Sequence, residues 1–209
     1  MRPFKPIEVF ARIMIAWLAA SLIGIYFGQA ILSLFEPFIK SIILLVQADF
    51  SPTLDIVNQN GSSVMRLLPL TIRPYQLTPD MRLREGFTLD AVTTAVDHAI
   101  LPLVILAMIL IAWPFRHGIR EISLRIAFGV LGAIIVMGVT TPLFLAARVQ
   151  MNTMIFALQV GGNPKKPFLI DWMIFTESGG RWLIPIAIAI LCIGLSKSLA
   201  SVSTVQNGR

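Results

Sequence analysis

The sequence predicts a mainly α-helical membrane protein, with four transmembrane helices in a bundle and a small β-rich extracytoplasmic segment between the first and second spans. Of the 209 residues, 56% are hydrophobic and only 13% are charged, about half the charged fraction of a soluble domain. About 20 apolar residues cross the hydrocarbon core of a bilayer. Four long apolar segments occur: Ala11–Phe35, Ile100–Trp113, Ile126–Ala147 and Trp182–Leu195.

The distribution of basic residues predicts the orientation of these spans. With a cytoplasmic N-terminus, the cytoplasmic pieces hold eight Lys or Arg against two Glu, so the whole formal charge of +6 lies on that side. Cytoplasmic loops of membrane proteins carry such an excess. We therefore expect a multi-pass protein of the bacterial inner membrane, with both termini in the cytoplasm. The basic residues form no aromatic-lined cluster, so nucleic acid is not an expected partner.

The span pattern divides the chain into five parts. Residues 1–48 hold a cytoplasmic stub, the first span and a separate interfacial helix. We expect the first helix to end at Glu36-Pro37, because proline lacks the N–H that would continue it. The remaining parts are the β-rich segment 49–97, the second and third spans in 98–148, the extracytoplasmic loop 149–181, and the fourth span with a cytoplasmic tail in 182–209.

The β-rich segment is predicted from its turns. Thr53–Val57 and Val64–Ile72 flank Asn58–Gly61, and an Asn-Gly pair is a strong signal for a hairpin turn. Met81–Thr88 alternates enough to form another short strand. The second span has a short apolar core, so either Ala91–Val96 extends its helix outward or the bilayer thins there.

Small residues recur every fourth position in the first span, and a similar face occurs in the third. Such faces let helix backbones approach closely, which leaves two interpretations open: docking of another integral membrane protein, or packing against the other spans of this chain. In the docking case, Leu at Gly24 and Gly28 would disrupt a complex. The residues are Ala16, Ala20, Gly24, Gly28, Gly129 and Gly132.

Polar residues predicted at the outer face are the remaining candidates. Each has a simpler interpretation as a helix end or interfacial residue, and Glu177 and Arg181 also suit an ion pair across a Gly-Gly turn. No metal site or cofactor is predicted, and Cys192, the single cysteine, is expected to be inert within the fourth span. The candidates are Asp97, His98, Arg148, Glu177 and Arg181.

Prolines and small residues near the span ends carry a family resemblance. The pattern comprises Leu101–Leu103 with Ala107, Ala112–Pro114, Gln150, Trp172–Glu177 and Leu183–Pro185. It resembles the exosortase-associated membrane proteins, in particular the exosortase H-associated type. The resemblance implies a non-catalytic inner-membrane protein that assists an exosortase-type transpeptidase. The catalytic residues would then belong to that partner.

The functional expectation is therefore a non-catalytic integral membrane subunit or accessory in a hetero-oligomeric bacterial assembly. Its expected partners are other integral membrane proteins and the lipid bilayer. The alternative is a membrane-embedded enzyme or small transporter that uses the polar groups at the outer face. Alanine at both Asp97 and His98 separates an enzyme, which would lose its function, from a subunit, which would keep it.

Overall fold

Helices form most of the structure, a computed structural model that describes residues 6–59, 61–78, 81–115 and 118–206. Six α-helices and five β-strands occur in these residues. Their order is α1 (Pro6–Val46), β1 (Phe50–Gln59), β2 (Ser62–Thr71), β3 (Tyr75–Thr78), β4 (Met81–Leu83), β5 (Val92–Ala95), α2 (Val96–Ala112), α3 (Gly118–Val139), α4 (Thr141–Gln159), α5 (Phe168–Phe175) and α6 (Arg181–Gln206).

Three helical stretches of the described chain are long and apolar enough to cross a membrane. They are Phe10–Val46, Gly118–Gln159 and Phe168–Ser201. The apolar helix α2 has 17 residues and is shorter than these three. The predicted membrane character is thus supported by three helices, whereas the prediction of four spans is not confirmed.

Helix α1 does not end at Pro37, which corrects the predicted helix end and the separate interfacial helix. It continues for 41 residues with Pro37 inside it. A proline inside a helix costs about 3 kcal/mol, but apolar side chains are fully buried on both sides of it. Leu32 and Ile39 are 0% exposed and Ile43 is 1% exposed, and burial of each such side chain contributes roughly 1.5–3 kcal/mol. Tertiary packing therefore outweighs the local helix breaker.

Two further segments differ from the prediction. Ala91–Val96 does not extend α2 outward, because Val92–Ala95 forms strand β5 and the helix begins at Val96. Residues 149–181 are not an extended loop, since they include the second half of α4 and all of α5. Only residues 160–167 lack regular structure there, and they hold the Gly and Pro residues that break helices.

The predicted hairpin is confirmed. Strands β1 and β2 pair antiparallel over their full length, and β5 pairs with the other side of β2. Asn60 of the turn lies outside the described residues, while Gly61 adopts a φ of 80°, which favours glycine. Strands β3 and β4 form a separate antiparallel pair, of which β4 lies inside the predicted strand Met81–Thr88.

The chain divides into two compact units, described separately below. The helical unit comprises Met1–Phe27, Ile100–Met137 and Arg181–Arg209, and the mixed unit comprises Gly28–Ala99 and Gly138–Gly180. In the mixed unit, α4 contacts α5 and strands β3 and β5. The sheet buries alternate side chains of β2, including Met65 at 1% exposure and Leu67 at 0%, as expected for a sheet with one covered face.

In the helical unit, the small-residue faces are covered by this chain itself. Ala16 and Ala20 are 2% and 4% exposed, and Gly24 is also buried. Gly28, the first residue of the mixed unit, is buried as well. A Cβ atom on Gly24 would lie 3.0 Å from the Val104 side chain. At Gly24 the stripe therefore packs against α2 of this chain, which favours the second of the two interpretations, packing against the chain's own helices.

The small residues of α3 have the same role. A Cβ atom on Gly132 would lie 2.9 Å from Ile188 and 3.1 Å from the sulfur of Cys192, both on α6. A Cβ atom on Gly129 would lie 2.9 Å from Leu110 on α2. The core of this unit is the buried cluster of Leu106, Val136 and Ala189, which joins α2, α3 and α6.

We predict that Gly132→Leu destabilises the protein by about 1–3 kcal/mol, the usual cost of overpacking a core. The matched control is Gly194→Leu on α6, where nothing lies within 4 Å of the added Cβ. Thermal unfolding in detergent should show a lower midpoint for Gly132→Leu and an unchanged or higher midpoint for the control. Equal midpoints would contradict close packing of α3 on α6.

The ion pair on the sheet predicts a pH effect. Asp55 and Arg66 face each other across β1 and β2, with Nε–Oδ1 and Nη2–Oδ2 distances of 3.0 and 2.5 Å. The hydrogen bonds from Arg66 hold the pKa of Asp55 below its ordinary value of 3.8. The folded state therefore gains stability above pH 3.8, and this gain is lost as the pH falls through the lowered pKa.

The gain is small, because both side chains are more than one third exposed. In Asp55→Asn the unfolding midpoint should fall less steeply between pH 4 and pH 2 than in the wild type. Glu85→Gln, in the turn after β4, is the control and should keep the wild-type slope. Parallel curves for Asp55→Asn and the wild type would show that this pair contributes nothing.

Candidate functional site

The structure brings together two of the polar residues predicted at the outer face. Arg148 on α4 donates a hydrogen bond from Nη2 to Oε1 of Glu177 at 2.9 Å. The guanidinium carbon of Arg148 also lies 5.3 Å from the ring centre of Phe144. Both charged side chains are about 40% exposed. An ion pair this exposed contributes little to the free energy of folding. Its interest is that it joins α4 to the segment that follows α5.

A sharp kink in the chain positions Glu177. The segment Thr176–Gly180 joins α5 to α6, and Gly179 has a φ of 136°, which L side chains rarely adopt. A Cβ atom on Gly180 would lie 2.6 Å from the ring of Phe175. Both glycines are thus needed at this bend. Trp172 connects α5 to the end of α3, since its Nε1 donates a hydrogen bond to the carbonyl of Val139 at 2.9 Å.

Helix α4 also carries buried polar atoms that lack a hydrogen-bond partner. They are Nε of Arg148 and Oε1 of Gln150, and a third such atom is Oε1 of Gln47, directly after α1. Gln47 is 6% exposed and donates from Nε2 to the carbonyl of Ala146 at 2.6 Å. A buried polar atom without a partner costs free energy. The Nε of Arg148 could donate one further hydrogen bond, and the two glutamine oxygens could accept further ones.

The other three outer-face candidates lie elsewhere. Asp97 and His98 are exposed in the first turn of α2, and no ion pair joins either of them to Arg148 or Glu177 within the described ranges. Arg181 begins α6 and belongs to the helical unit, whereas Glu177 belongs to the mixed unit. The expected pairing of Glu177 with Arg181 stays a prediction, since the ion pair seen for Glu177 is with Arg148.

No group of three or more His, Cys, Asp or Glu residues suited to a metal ion occurs in the part of the chain that the structure describes. Cys192 is 6% exposed, and its sulfur contacts the carbonyl oxygen of Phe128 at 3.2 Å.

A second polar site lies in the helical unit, where α2 ends and α3 begins. Glu121 and Arg125 are one turn apart on α3 and form an ion pair with 0% and 3% exposed side chains. Arg125 also donates from Nη1 to the carbonyls of Leu110 at 3.3 Å and Trp113 at 2.5 Å. Both carbonyls lie at the C-terminal end of α2, where backbone C=O groups have no partner within the helix. Arg125 is a residue of α3, and it caps the end of α2.

Aromatic rings complete this second site. The guanidinium of Arg125 lies 4.1 Å from the ring centre of Phe115, and Nζ of Lys197 lies 5.0 Å from the ring centre of Trp113. Cations this close to an aromatic face are attracted to it. One nitrogen of Arg125, Nε, is buried without a hydrogen-bond partner. Arg125 also lines an open apolar groove between α2 and α3.

The sequence analysis missed this second site. It counts Glu121 and Arg125 among the charges of the cytoplasmic pieces and begins the third span at Ile126, whereas α3 begins at Gly118. The available signal is the i, i+4 spacing of an acidic and a basic residue, which predicts an ion pair on a helix. That spacing does not predict burial, which depends on α2.

Comparison with family models, curated proteins and solved structures finds no match to this chain. The proposals below therefore rest on the sequence and on the geometry described above.

The second site predicts that the double variant loses less stability than the sum of the two single variants. Arg125→Met should destabilise the protein by about 3–5 kcal/mol, because it leaves the buried Glu121 carboxylate without its counterion. Adding Glu121→Gln in the same chain should restore part of this loss, since the uncompensated charge is then removed. Denaturant titration of the single and double variants measures the difference. Simple addition of the two single effects would contradict a coupled pair.

Proposed function

We propose that this chain is a non-catalytic integral membrane subunit of a bacterial membrane assembly, and that its sheet docks the extramembrane part of another integral membrane protein. The membrane part of the proposal rests on the three span-length apolar helices. Many of their large side chains are also strongly exposed, for example Ile25 at 71%, Tyr26 at 78% and Leu34 at 78%. Lipid is the solvent that tolerates this much exposed apolar surface.

The open edges of the sheet support a location outside the hydrocarbon. Strands β1 and β5 lie at the two edges of the three-stranded sheet. Backbone groups at an open edge have no partner in lipid, and each one would cost several kcal/mol there. The sheet therefore belongs in water or at the membrane interface, where its exposed side chains meet solvent or another protein.

One apolar patch on the mixed unit carries the docking proposal. We define the sheet patch as Leu70, Ile72 and Phe87, which are 38%, 39% and 40% exposed. The backbone holds these residues together, because the N–H of Thr71 donates to the carbonyl of Phe87 at 2.9 Å. Neighbouring apolar side chains exposed on a sheet outside the hydrocarbon are typical of a protein–protein contact.

The placement of charge in the helical unit supports the proposed orientation. Lys197 lies against Trp113 near the end of α2, and Arg125 caps the same end. We propose that this cationic end faces the cytoplasm, that α2 is a fourth, short span, and that both termini are cytoplasmic. Arg2, Lys5, Arg116 and Arg209 lie outside the described residues.

The resemblance to exosortase-associated proteins points to the kind of assembly. A β-rich segment between the first and second apolar helices supports that layout. The proposed partner is then a membrane-embedded, exosortase-type transpeptidase, and this chain assists it without supplying catalytic residues. The polar atoms around Arg148 and Gln150 lie on α4 of the same unit as the sheet patch and offer polar contacts to such a partner.

Site-specific photo-crosslinking in native membranes tests the docking proposal. A photoreactive amino acid at Leu70 or Ile72 should yield one discrete adduct with another integral membrane protein. The same group at Thr93, an exposed position on β5, is the matched control and should yield none. Leu70→Ser with Ile72→Ser should also abolish co-purification of that protein, whereas Thr93→Ser should retain it.

Folding of each variant is checked by its thermal midpoint in detergent. Adducts with lipid alone would overturn the docking proposal, as would equal adducts at all three positions. Retention of the partner by the folded Leu70→Ser, Ile72→Ser variant would also overturn it.

A further inference from the structure

The apolar groove between α2 and α3 exists because its floor is built from small residues. It has a volume of about 420 Å³ and is lined by residues of 103–115 and 122–133. Gly129, Ala107 and Ala133 contribute no long side chain to it. The Leu110 side chain already lies 2.9 Å from where a Cβ atom of Gly129 would be, so a larger residue at position 129 would collide with it.

The dimensions of the groove match a single hydrocarbon chain. The lining residues of α3 extend from Ile122 to Ala133, roughly 16 Å along the helix axis. A volume of about 420 Å³ over this length leaves a cross-section of about 25 Å². Carbon atoms in contact are about 4 Å apart, which suits one extended chain.

The length also matches one leaflet of the bilayer. The groove starts beside Phe115 and Ile122, at the turn between the two helices, and runs inward to Leu103 and Ala133. Its length of roughly 16 Å is about half of the ~30 Å hydrocarbon core. An acyl chain that begins at the membrane surface would therefore fill the groove and end near the bilayer midplane.

Positive charge surrounds the end of the groove at the helix turn. Arg125 lines the groove, is 3% exposed, and has an unpartnered Nε. Nζ of Lys197 lies 5.0 Å from the ring centre of Trp113, and the carbonyl of Trp113 accepts a hydrogen bond from Arg125. Glu121 is the acidic residue in the first turn of α3. The two cations against one carboxylate leave this end positive, which complements an anionic headgroup.

We propose that the groove binds one acyl chain of an anionic phospholipid, with the lipid phosphate at the cationic end formed by Arg125 and Lys197. Other lipids touch the helices as ordinary boundary lipid, whereas this one is selected by its charge and held by the shape of the groove. The proposal depends on the membrane location of the helices but not on the docking of a partner protein to the sheet.

The test uses the full-length chain in phosphatidylcholine vesicles that contain a small fraction of a phospholipid with a photoreactive group in mid-chain. One preparation uses phosphatidylglycerol as the photoreactive lipid and the other uses phosphatidylcholine. Mass spectrometry of peptides after illumination maps the labelled residues. The phosphatidylglycerol probe should label the groove residues of α2 and α3 at least about fivefold more strongly than the phosphatidylcholine probe. Lys197→Gln should reduce this preference.

Two adjacent residues of α3 provide a matched pair of variants. Val130 lines the groove and is 58% exposed, whereas Leu131 is 55% exposed and faces away from it. Val130→Trp should fill the groove and remove the preferential labelling, and Leu131→Trp should retain it. Both residues lie at the same depth in the bilayer, so a general effect of tryptophan on lipid contact would change both variants equally.

Equal labelling by the two lipids in the wild type would overturn the proposal, even if Val130→Trp fails to fold. Label spread evenly over all helix faces, or unchanged label in folded Val130→Trp, would overturn it as well. A headgroup preference confined to the groove and lost only in Val130→Trp supports it. Failure of the sheet patch to capture a partner would leave this lipid result unaffected, so the two proposals are tested separately.

Discussion

The need to satisfy backbone hydrogen bonds in lipid is the constraint on which the rest of this structure depends. A helix satisfies its own N–H and C=O groups, whereas a sheet with open edges does not. The long apolar segments are accordingly helical, and within the described residues the strands occur only in 50–95, between α1 and α2. The ends of helices remain the weak points of this arrangement, because their last carbonyls have no partner. Arg125 supplies donors at such a point by capping α2 from within α3.

Close packing of small residues produces two different results in the helical unit. At Gly132 the space is filled by Ile188 and Cys192 of α6, which contributes to the core. One turn earlier, at Gly129, the same lack of a side chain leaves a groove that is open to the surroundings. The difference lies in the neighbouring helix rather than in the glycine. A glycine face is therefore a signal for close approach, but the structure is needed to show whether that approach closes a core or opens a binding groove.

Charged residues show the same division between local and tertiary information. The sequence analysis identifies Arg148 and Glu177 as outer-face candidates, yet 29 residues separate them and only the fold shows that they pair. The pair of Glu121 and Arg125 is visible as i, i+4 spacing, but its burial depends on contacts with Trp113 and Phe115. The exposed pair stabilises little, and the buried pair constrains the junction of two helices. The type of residue alone does not distinguish these roles.

The sequence by itself determined the apolar helices and the β1–β2 hairpin, because length, hydropathy and an Asn-Gly turn act over neighbouring residues. It also determined that small-residue faces would bring helices together. The tertiary structure alone decided that α1 continues through Pro37, since Leu32, Ile39 and Ile43 are buried around it. It also decided that the stripe with Gly24 packs against α2 of this chain, and that Val92–Ala95 joins the sheet instead of α2. In each of these cases the deciding free energy comes from residues far apart in the chain, and a local pattern carries no information about which of them meet.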